Sequence, residues 1–295
     1  MDHFYYYDVY GLCAKTNVPM PLLEEIIGVE SHDIAITVSY GNIQPVDSIV
    51  IKKENDHYII NLGKYADYLI FTDRIMCIAE DFDSFFSTVF NIPFAVFFTT
   101  KQEKLLHCCS MFYDNSLVCF VGEKGVGKST LTQLIDGTPF QLFSDDTLRI
   151  ANNHLCYRAN NLIKLTAETI TYLGLENLTC EKNVVGKTYG IIPNNNCATN
   201  IRAIIQIKQR KDVFLIEKIT DPTLRRAIYL NHTVGLFYYP SDLFYLAYNM
   251  NYDTHVSFFQ ILLPHNIEWL TNNKDSIINT LNDAILFENN SKDLS

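Results

Sequence analysis

The sequence predicts a mixed α/β fold, with a mostly β module over residues 1–100, an α/β domain over residues 101–288 and a polar tail over residues 289–295. Three observations lead to this fold class. Short β-prone runs separated by turn residues fill the first 80 positions. A strand-like run then leads directly into a glycine-rich loop and an amphipathic segment. Beyond the loop, strand-like and helix-like segments are mixed along the chain.

The β-prone runs of the first module have β-rich composition and lie between turn residues. Within the module we expect strands in Phe4–Lys15, Ile34–Tyr40, Ile49–Lys53, His57–Leu62 and Tyr68–Ile78. The turn Glu54-Asn55-Asp56 makes the third and fourth of these a hairpin. Asp83–Phe98 then carries apolar residues at near-helical spacing, and Pro93 predicts a kink or break inside that helix.

The second domain begins with two strands, Lys104–Tyr113 and Ser116–Val121, joined by the tight-turn pair Asp114-Asn115. A helix over Lys128–Asp136 follows the glycine-rich loop and ends at Gly137. The later segments predict strands at Phe140–Ser144, Ile201–Ile207, Val213–Lys218 and Val256–Leu263, and helices at Ala167–Leu173, Thr223–Leu230 and Lys274–Phe287.

Composition and charge exclude several classes of protein. Hydrophobic residues make up 48% of the chain and charged residues 19%, which is typical of a folded chain with a real core. The formal net charge of -10 opposes binding to nucleic acid or to an anionic membrane. No apolar run reaches the ~18–20 residues of a spanning helix, and the N-terminus does not resemble a signal peptide. The eight cysteines form no C-x-x-C pair, so we expect reduced thiols and a cytoplasmic protein.

Residues 122–130 read G-E-K-G-V-G-K-S-T and satisfy the phosphate-loop pattern G-x-x-x-x-G-K-[ST] in full. The glycines let backbone N–H groups approach phosphate oxygens, and the following helix directs its positive end at them. Lys128 can reach the β- and γ-phosphates, and the Ser129 hydroxyl can join a Mg²⁺ shell. The sequence therefore predicts a nucleotide site that uses ATP and Mg²⁺, with cofactor-binding residues Gly122, Gly125, Val126, Gly127, Lys128, Ser129 and Thr130.

Two adjacent carboxylates, Asp145 and Asp146, follow the short strand after this loop. One carboxylate can hold Mg²⁺ together with Ser129, while the other accepts the proton of an attacking hydroxyl. His107, on the strand expected to run antiparallel to the one that feeds the loop, could polarise a phosphoryl oxygen or assist proton transfer. An edge or core histidine is the alternative interpretation of His107.

Together these motifs resemble the HPr kinase/phosphorylase-like family of P-loop kinases. The resemblance covers about residues 104–150, from the histidine-bearing strand through the phosphate loop to an early Asp-Asp pair, a pair that the family shares with phosphoenolpyruvate carboxykinases. The N-terminal YDVYGLCAKTNVPMPLLEEI is also similar to the opening of the family's shorter members, which include lasso-peptide tailoring kinases.

The resemblance implies a P-loop kinase domain of the HPr kinase/PEP carboxykinase type after a smaller, mostly β module. It implies γ-phosphoryl transfer from ATP to a serine of a peptide or protein, such as a ribosomally made precursor peptide. Asp145 and Asp146 would supply the base and the metal contact, in an order left open, and Lys128 and His107 would act at the transferred phosphate. A homo-oligomer is compatible with the sequence.

The chain also departs from that family. HPr kinases usually carry serine at the position of Lys124 and often an acid at that of Thr130, and their later glycine-rich signature is not visible. These differences argue against HPr as the substrate and against assuming the reverse phosphorolysis. A small-molecule kinase and a nucleotide-binding regulatory protein without phosphotransfer are the alternatives, and no N-K-x-D element indicates a guanine-selective site.

Overall fold

The structure is a computed structural model that describes residues 3–20, 23–137, 139–160, 162–175, 183–184, 187–191, 199–210, 213–250, 254–264 and 266–292. Within these ranges, nineteen strands form four sheets, accompanied by eight α-helices. The chain thus has the mixed α/β class that the sequence predicts. Of the predicted polar tail, residues 293–295 lie outside the described residues, and residues 289–292 belong to the last helix.

A seven-stranded sheet occupies the N-terminal part of the chain, in the spatial order β1-β2-β3-β7-β6-β5-β4. Its strands are β1 (Tyr5–Val9), β2 (Leu12–Thr16), β3 (Ile34–Tyr40), β4 (Val50–Glu54), β5 (His57–Asn61), β6 (Ala66–Ile70) and β7 (Arg74–Ala79). The predicted hairpin across residues 54–56 is confirmed, since β4 and β5 pair antiparallel. The run Phe4–Lys15 is a second hairpin rather than one strand, because Tyr10 and Gly11 adopt φ of +56° and +70° and turn the chain there.

Two apolar helices, α1 (Phe82–Val89) and α2 (Ile92–Thr100), follow this sheet. The Asp81 side chain caps α1 by accepting from Ser84 N, and Pro93 lies in the first turn of α2, where its missing N–H is tolerated. The break predicted at Pro93 is therefore confirmed. In the described part of the chain, no single helix is long and apolar enough to cross a membrane; α1 and α2 meet that test only as a pair bent by 45°.

The rest of the chain alternates strands and helices. In chain order the elements are β8 (Lys104–His107), β9 (Cys109–Tyr113), β10 (Ser116–Val121), α3 (Lys128–Ile135), β11 (Gln141–Ser144), β12 (Thr147–Ile150), β13 (Cys156–Arg158), β14 (Leu162–Leu165), α4 (Ala167–Leu173), β15 (Asn183–Val184), β16 (Lys187–Ile191), β17 (Ile201–Gln209), β18 (Leu215–Lys218), α5 (Pro222–Asn231), a 3₁₀ turn (Leu236–Tyr238), α6 (Ser241–Asn249), β19 (Ser257–Leu263), α7 (Ile267–Asn272) and α8 (Lys274–Lys292).

A six-stranded sheet forms the centre of this second part, in the order β11-β9-β10-β17-β19-β18. Strands β10, β17 and β19 are parallel neighbours, so the segments that follow their carboxyl ends meet at one edge of the sheet. Residues Leu117–Val121 of β10 are buried on both faces, which explains their continuous apolar run. One face packs with α3 and α8, and the other packs with α5 and β12.

The predicted strand Lys104–Tyr113 is wrong as a single element. It bends at Cys108, so that β9 pairs with β10 while β8 pairs with β12 in a separate three-stranded sheet, β13-β12-β8. His107 therefore ends β8 and does not lie on the strand that pairs with β10. The segment that pairs with β8 and β9 bends at the same level, between β11 and β12. There Asp146 has a φ of +80°, and its carbonyl accepts a hydrogen bond from Cys108 N. The acidic pair thus lies at the corner of a bent two-stranded ribbon.

The N-terminal sheet shares its apolar core with the second part of the chain. Tyr10 is fully buried, and its hydroxyl donates to Phe90 O at 2.5 Å and lies 2.7 Å from the hydroxyl of Thr147, the residue next to Asp146. Nearby, the Arg149 guanidinium forms two hydrogen bonds to the Glu103 carboxylate, at 2.8 and 2.9 Å. Residues from the second part that join this core are Leu105, Ala159, Leu162, Leu236, Tyr239, Leu243 and Ala247.

Candidate phosphate-binding site

The glycine-rich loop has a backbone that other residues would strain. Gly125 and Gly127 adopt φ of +85° and +95°, in the left-handed region that favours glycine. At Gly122, with a φ of +156°, an added Cβ atom would lie 2.9 Å from both the backbone oxygen of Ile207 and the Cγ1 atom of Val126. The glycines of the motif are thus required by backbone conformation or by space.

The loop leads directly into the N-terminus of α3. Gly127 is the N-cap residue and has no side chain to satisfy the first N–H groups of the helix, and the first turn contains no acidic residue. Such an end presents free backbone donors and the positive pole of the helix dipole. The N-terminus of α3 is therefore suited to bind an anion, as the sequence predicts.

Lys128 is held inside the loop that it follows. Its side chain is buried, and its ammonium donates to the carbonyl oxygens of Gly122 at 2.9 Å and Glu123 at 3.2 Å. These two bonds hold the positive charge within the loop. A phosphate bound by the loop would therefore contact this charge.

Asp145 joins the loop to the acidic corner. Its Oδ1 atom accepts from the Ser129 hydroxyl and from the Cys109 thiol, each at 2.8 Å, and its Oδ2 atom accepts from the backbone N–H of Lys164 at 2.9 Å. Burial, followed by repulsion from the Asp145 carboxylate, raises the pKa of the Cys109 thiol well above its ordinary value, so the thiol stays protonated and donates. Asp145 is thereby fixed beside the hydroxyl that the motif assigns to a metal shell.

Asp146 contacts two potential donors on the cleft wall. Its Oδ2 atom accepts from the Lys164 ammonium at 2.7 Å, and its Oδ1 atom lies 3.4 Å from Nδ1 of His107. Burial lowers the pKa of His107 below its usual value, with the nearby Asp146 carboxylate opposing this in part, so the imidazole is neutral near pH 7. Burial likewise lowers the pKa of the adjacent His232 to about 4, with the nearby His107 and Lys128 adding to that effect.

The phosphate loop, the acidic pair and His107 line one cleft with a volume of about 570 Å³. Most of the residues that the sequence predicts lie on its wall: His107, Gly125, Val126, Gly127, Lys128, Ser129, Thr130, Asp145 and Asp146. Gly122 lies beneath them, where its carbonyl holds Lys128. The structure thus brings together the loop, the acidic pair and the histidine.

The sequence motifs do not include every residue of the cleft wall. Cys109 and Lys164 contact the acidic pair, but neither belongs to a pattern that could have identified it. Thr169 lies 3.2 Å from the hydroxyl of Thr130 and joins α4 to α3. The opposite side of the cleft follows the carboxyl end of β19 and is mainly apolar, with wall residues Leu263, Pro264, Asn266, Ile267 and Leu270.

The oxygen atoms at the loop fit a magnesium ion. Within the described residues, no group of three or more His, Cys, Asp or Glu side chains forms a protein-only metal cage. Mg²⁺ does not need such a cage, because it usually keeps several waters and binds one or two protein ligands together with substrate phosphates. The Ser129 hydroxyl and the Asp145 carboxylate, 2.8 Å apart, are donors of this kind.

Comparisons with known proteins leave the family open. No protein-family model matches the chain, and no curated protein sequence matches it. Among solved structures, the chain is similar to the Hpr(Ser) kinase/phosphatase from Coxiella burnetii, with 18% sequence identity and a TM-score of 0.26 over 60% of this chain and 99% of that chain.

Proposed function

We propose that this chain is an ATP-dependent phosphotransferase that moves the γ-phosphoryl group to a hydroxyl, specifically a serine of a peptide or protein. The observation that carries the proposal is the 2.8 Å contact between Ser129, at the end of a complete phosphate loop, and Asp145, with a second carboxylate on the next residue. A loop that only binds nucleotide does not need the second carboxylate. The choice of a serine follows from the motif resemblance.

In this proposal the phosphate loop binds the nucleotide. The N–H groups at the start of α3 and the Lys128 ammonium would hold the β- and γ-phosphates. When bound, Mg²⁺ would offset the negative charge on the phosphate oxygens, and Ser129 and Asp145 are the residues that would hold it. The apolar wall after β19 is the part of the cleft suited to a nucleobase, since bases stack on or pack against apolar surface.

The two carboxylates would have different roles because their surroundings differ. Asp145 accepts hydrogen bonds from the Cys109 thiol, from the backbone of Lys164 and from the Ser129 hydroxyl, the group that would join the metal shell. Asp146 instead lies beside His107 and the Lys164 ammonium. We therefore assign the metal contact to Asp145 and the general base to Asp146.

The proposed reaction transfers one phosphoryl group and one proton. The acceptor hydroxyl gives its proton to the Asp146 carboxylate while its oxygen forms a bond to the γ-phosphorus. The bond from the γ-phosphorus to the bridging oxygen breaks, and its electron pair leaves with ADP. Neutral His107, next to Asp146, would donate a hydrogen bond to a phosphoryl oxygen or orient the carboxylate.

Intact-mass analysis of serine peptides tests this proposal. A panel of peptides, each with a matched serine-to-alanine version, is incubated with the protein, Mg²⁺ and ATP. We expect a gain of about 80 Da, one phosphoryl group, on a serine peptide only. The gain should disappear in Lys128→Ala and persist in Lys52→Ala, which removes an exposed lysine from β4. ATP consumption with small alcohols, and none with peptides, would instead indicate a small-molecule kinase, and binding without consumption would indicate a regulatory protein.

A further inference from the structure

One lysine of the cleft contacts both members of the acidic pair. The backbone N–H of Lys164 donates to Asp145, and its ammonium donates to Asp146 at 2.7 Å. The side chain is 25% exposed and lies on the cleft wall, so its charged end is accessible from the cleft. None of the phosphate-loop or Asp-Asp patterns accounts for this residue.

The backbone of Lys164 has rigid support. Strand β14 pairs antiparallel with β16, and the neighbours Ile163 and Leu165 are buried in a small apolar cluster. Just after the strand, the hydroxyls of Thr166, Thr169 and Thr130 form a chain with steps of 3.0 and 3.2 Å that ties this segment to α3. The main chain is thereby fixed relative to the phosphate loop, while the flexible four-carbon stem leaves the ammonium able to change partners.

Lys164 is joined to the phosphate loop through Asp145. A hydrogen-bonded path runs from the Ser129 hydroxyl through the Asp145 carboxylate to the backbone N–H of Lys164, in steps of 2.8 and 2.9 Å. Because Lys164 and Ser129 line the same cleft, a terminal phosphoryl group held there would lie on the same wall as the Lys164 side chain. Lys128, the buried cation of the loop, instead donates to the carbonyl oxygens of Gly122 and Glu123.

The charges of the cleft require a cation at this position. Asp145 and Asp146 place two carboxylates on the wall, and a nucleoside triphosphate adds more negative charge beside them. The pair between Lys164 and Asp146 is partly exposed, and such pairs are weak, so its ammonium can exchange a carboxylate oxygen for a phosphoryl oxygen at little cost.

Resting on the proposed function, we infer that Lys164 is a catalytic residue whose ammonium binds the terminal phosphoryl group of the nucleotide and leaves Asp146 to the acceptor hydroxyl. In the free protein the lysine holds Asp146. In the nucleotide complex its ammonium contacts the γ-phosphate, which ADP lacks. ATP and ADP should therefore differ in their dependence on Lys164.

Calorimetric titration with ADP and with a non-hydrolysable ATP analogue, both with Mg²⁺, tests the inference without an acceptor. In Lys164→Met, we expect analogue affinity to fall about 10- to 100-fold, the range of a hydrogen bond to a charged group, while ADP affinity stays within about twofold. Lys164→Arg should retain most of the preference for the analogue. Lys52→Met should change neither affinity, and Lys128→Ala should weaken both. If Lys164→Met does not fold, Lys164→Gln serves for the same comparison.

A double variant separates direct contact from an effect through Asp146. Asn is isosteric with Asp and tolerates the positive φ at position 146, so Asp146→Asn removes the charge with little strain. In that background, Lys164→Met should still weaken the analogue selectively. The inference is overturned if the double variant binds the analogue as Asp146→Asn alone does, or if Lys164→Met weakens both nucleotides equally. If the unaltered protein binds neither nucleotide, the proposed function itself fails first.

Discussion

A buried lysine away from the cleft makes the stability of the fold depend on pH. Lys104, in β8, is 3% exposed, and its ammonium donates to the carbonyl of Met250 and lies 4.4 Å from the ring centre of Tyr229. Burial, with a smaller contribution from the nearby Arg226 charge, lowers the pKa of Lys104 from 10.5 to about 7. The folded state therefore disfavours the charged form.

The sign and size of the effect follow from linkage. Below about pH 7 both states carry the proton, and the folded state bears the full penalty, roughly 5 kcal/mol for a shift of this size. Between about pH 7 and 10.5 only the unfolded state binds the proton, so stability rises with pH by about 1.4 kcal/mol per unit. Above that range the penalty is gone.

Urea unfolding at several pH values measures this dependence. Lys104→Met removes the charge and keeps an apolar side chain of similar length. From pH 7.5 to 9, the free energy of unfolding of the unaltered protein should rise relative to that of the variant by about 2 kcal/mol. Lys52→Met, at an exposed position, should show a constant difference. A constant difference for Lys104→Met as well would contradict this prediction, because it would mean that the lysine keeps its proton in the folded state.

Three further predictions concern the corner and the loop. Tyr10→Phe removes a buried hydroxyl with two partners and should lower the free energy of unfolding by about 1–3 kcal/mol, whereas Tyr65→Phe, at an exposed position, should change it by less than about 0.5 kcal/mol in the same urea titrations. Gly122→Ala should lower ATP affinity at least about tenfold by calorimetry, because the added Cβ would meet a backbone oxygen at 2.9 Å. Asp146→Asn should lower kcat about 10²- to 10⁴-fold with little change in ATP affinity. Asp145→Asn should also raise the Mg²⁺ concentration needed for half-maximal rate. The same dependence of rate on Mg²⁺ in both variants would contradict the assigned roles.

The parts of the site that lie close together in sequence could be predicted, because local rules decide them. The phosphate loop needs its glycines within nine consecutive residues, and the helix starts directly after it. That the acidic pair lies near Ser129 could also be predicted, since one helix and one strand return the chain to that residue, whereas the contact of Asp145 in particular comes from the structure. The predicted helices Ala167–Leu173 and Thr223–Leu230 are confirmed, because their capping and apolar spacing are local too.

The parts that depend on distant pairing could not be predicted. Lys164 reaches the acidic pair only because β14 packs beside α3, and nothing in the run Leu-Ile-Lys-Leu signals that arrangement. The chain bends at Cys108 because β8 pairs with β12 while β9 pairs with β10. No local sequence pattern indicates which strands will pair. Helix α6 could not be predicted for a different reason. Its exposed face is rich in aromatic residues, which obscure the apolar periodicity of a helix.

ATP binding and ADP formation, measured in the same samples with Mg²⁺ and a phosphorylatable serine peptide, test whether this cleft is a phosphotransferase site. The samples are the unaltered protein, Lys128→Ala and Asp146→Asn. We expect the unaltered protein to bind ATP and to release one ADP per phosphoserine formed. We expect Lys128→Ala to bind ATP weakly, and Asp146→Asn to bind ATP normally but to form almost no ADP. ADP formation that Lys128→Ala leaves unchanged would contradict a phosphotransferase site in this cleft, and full turnover by Asp146→Asn would contradict its role as the general base.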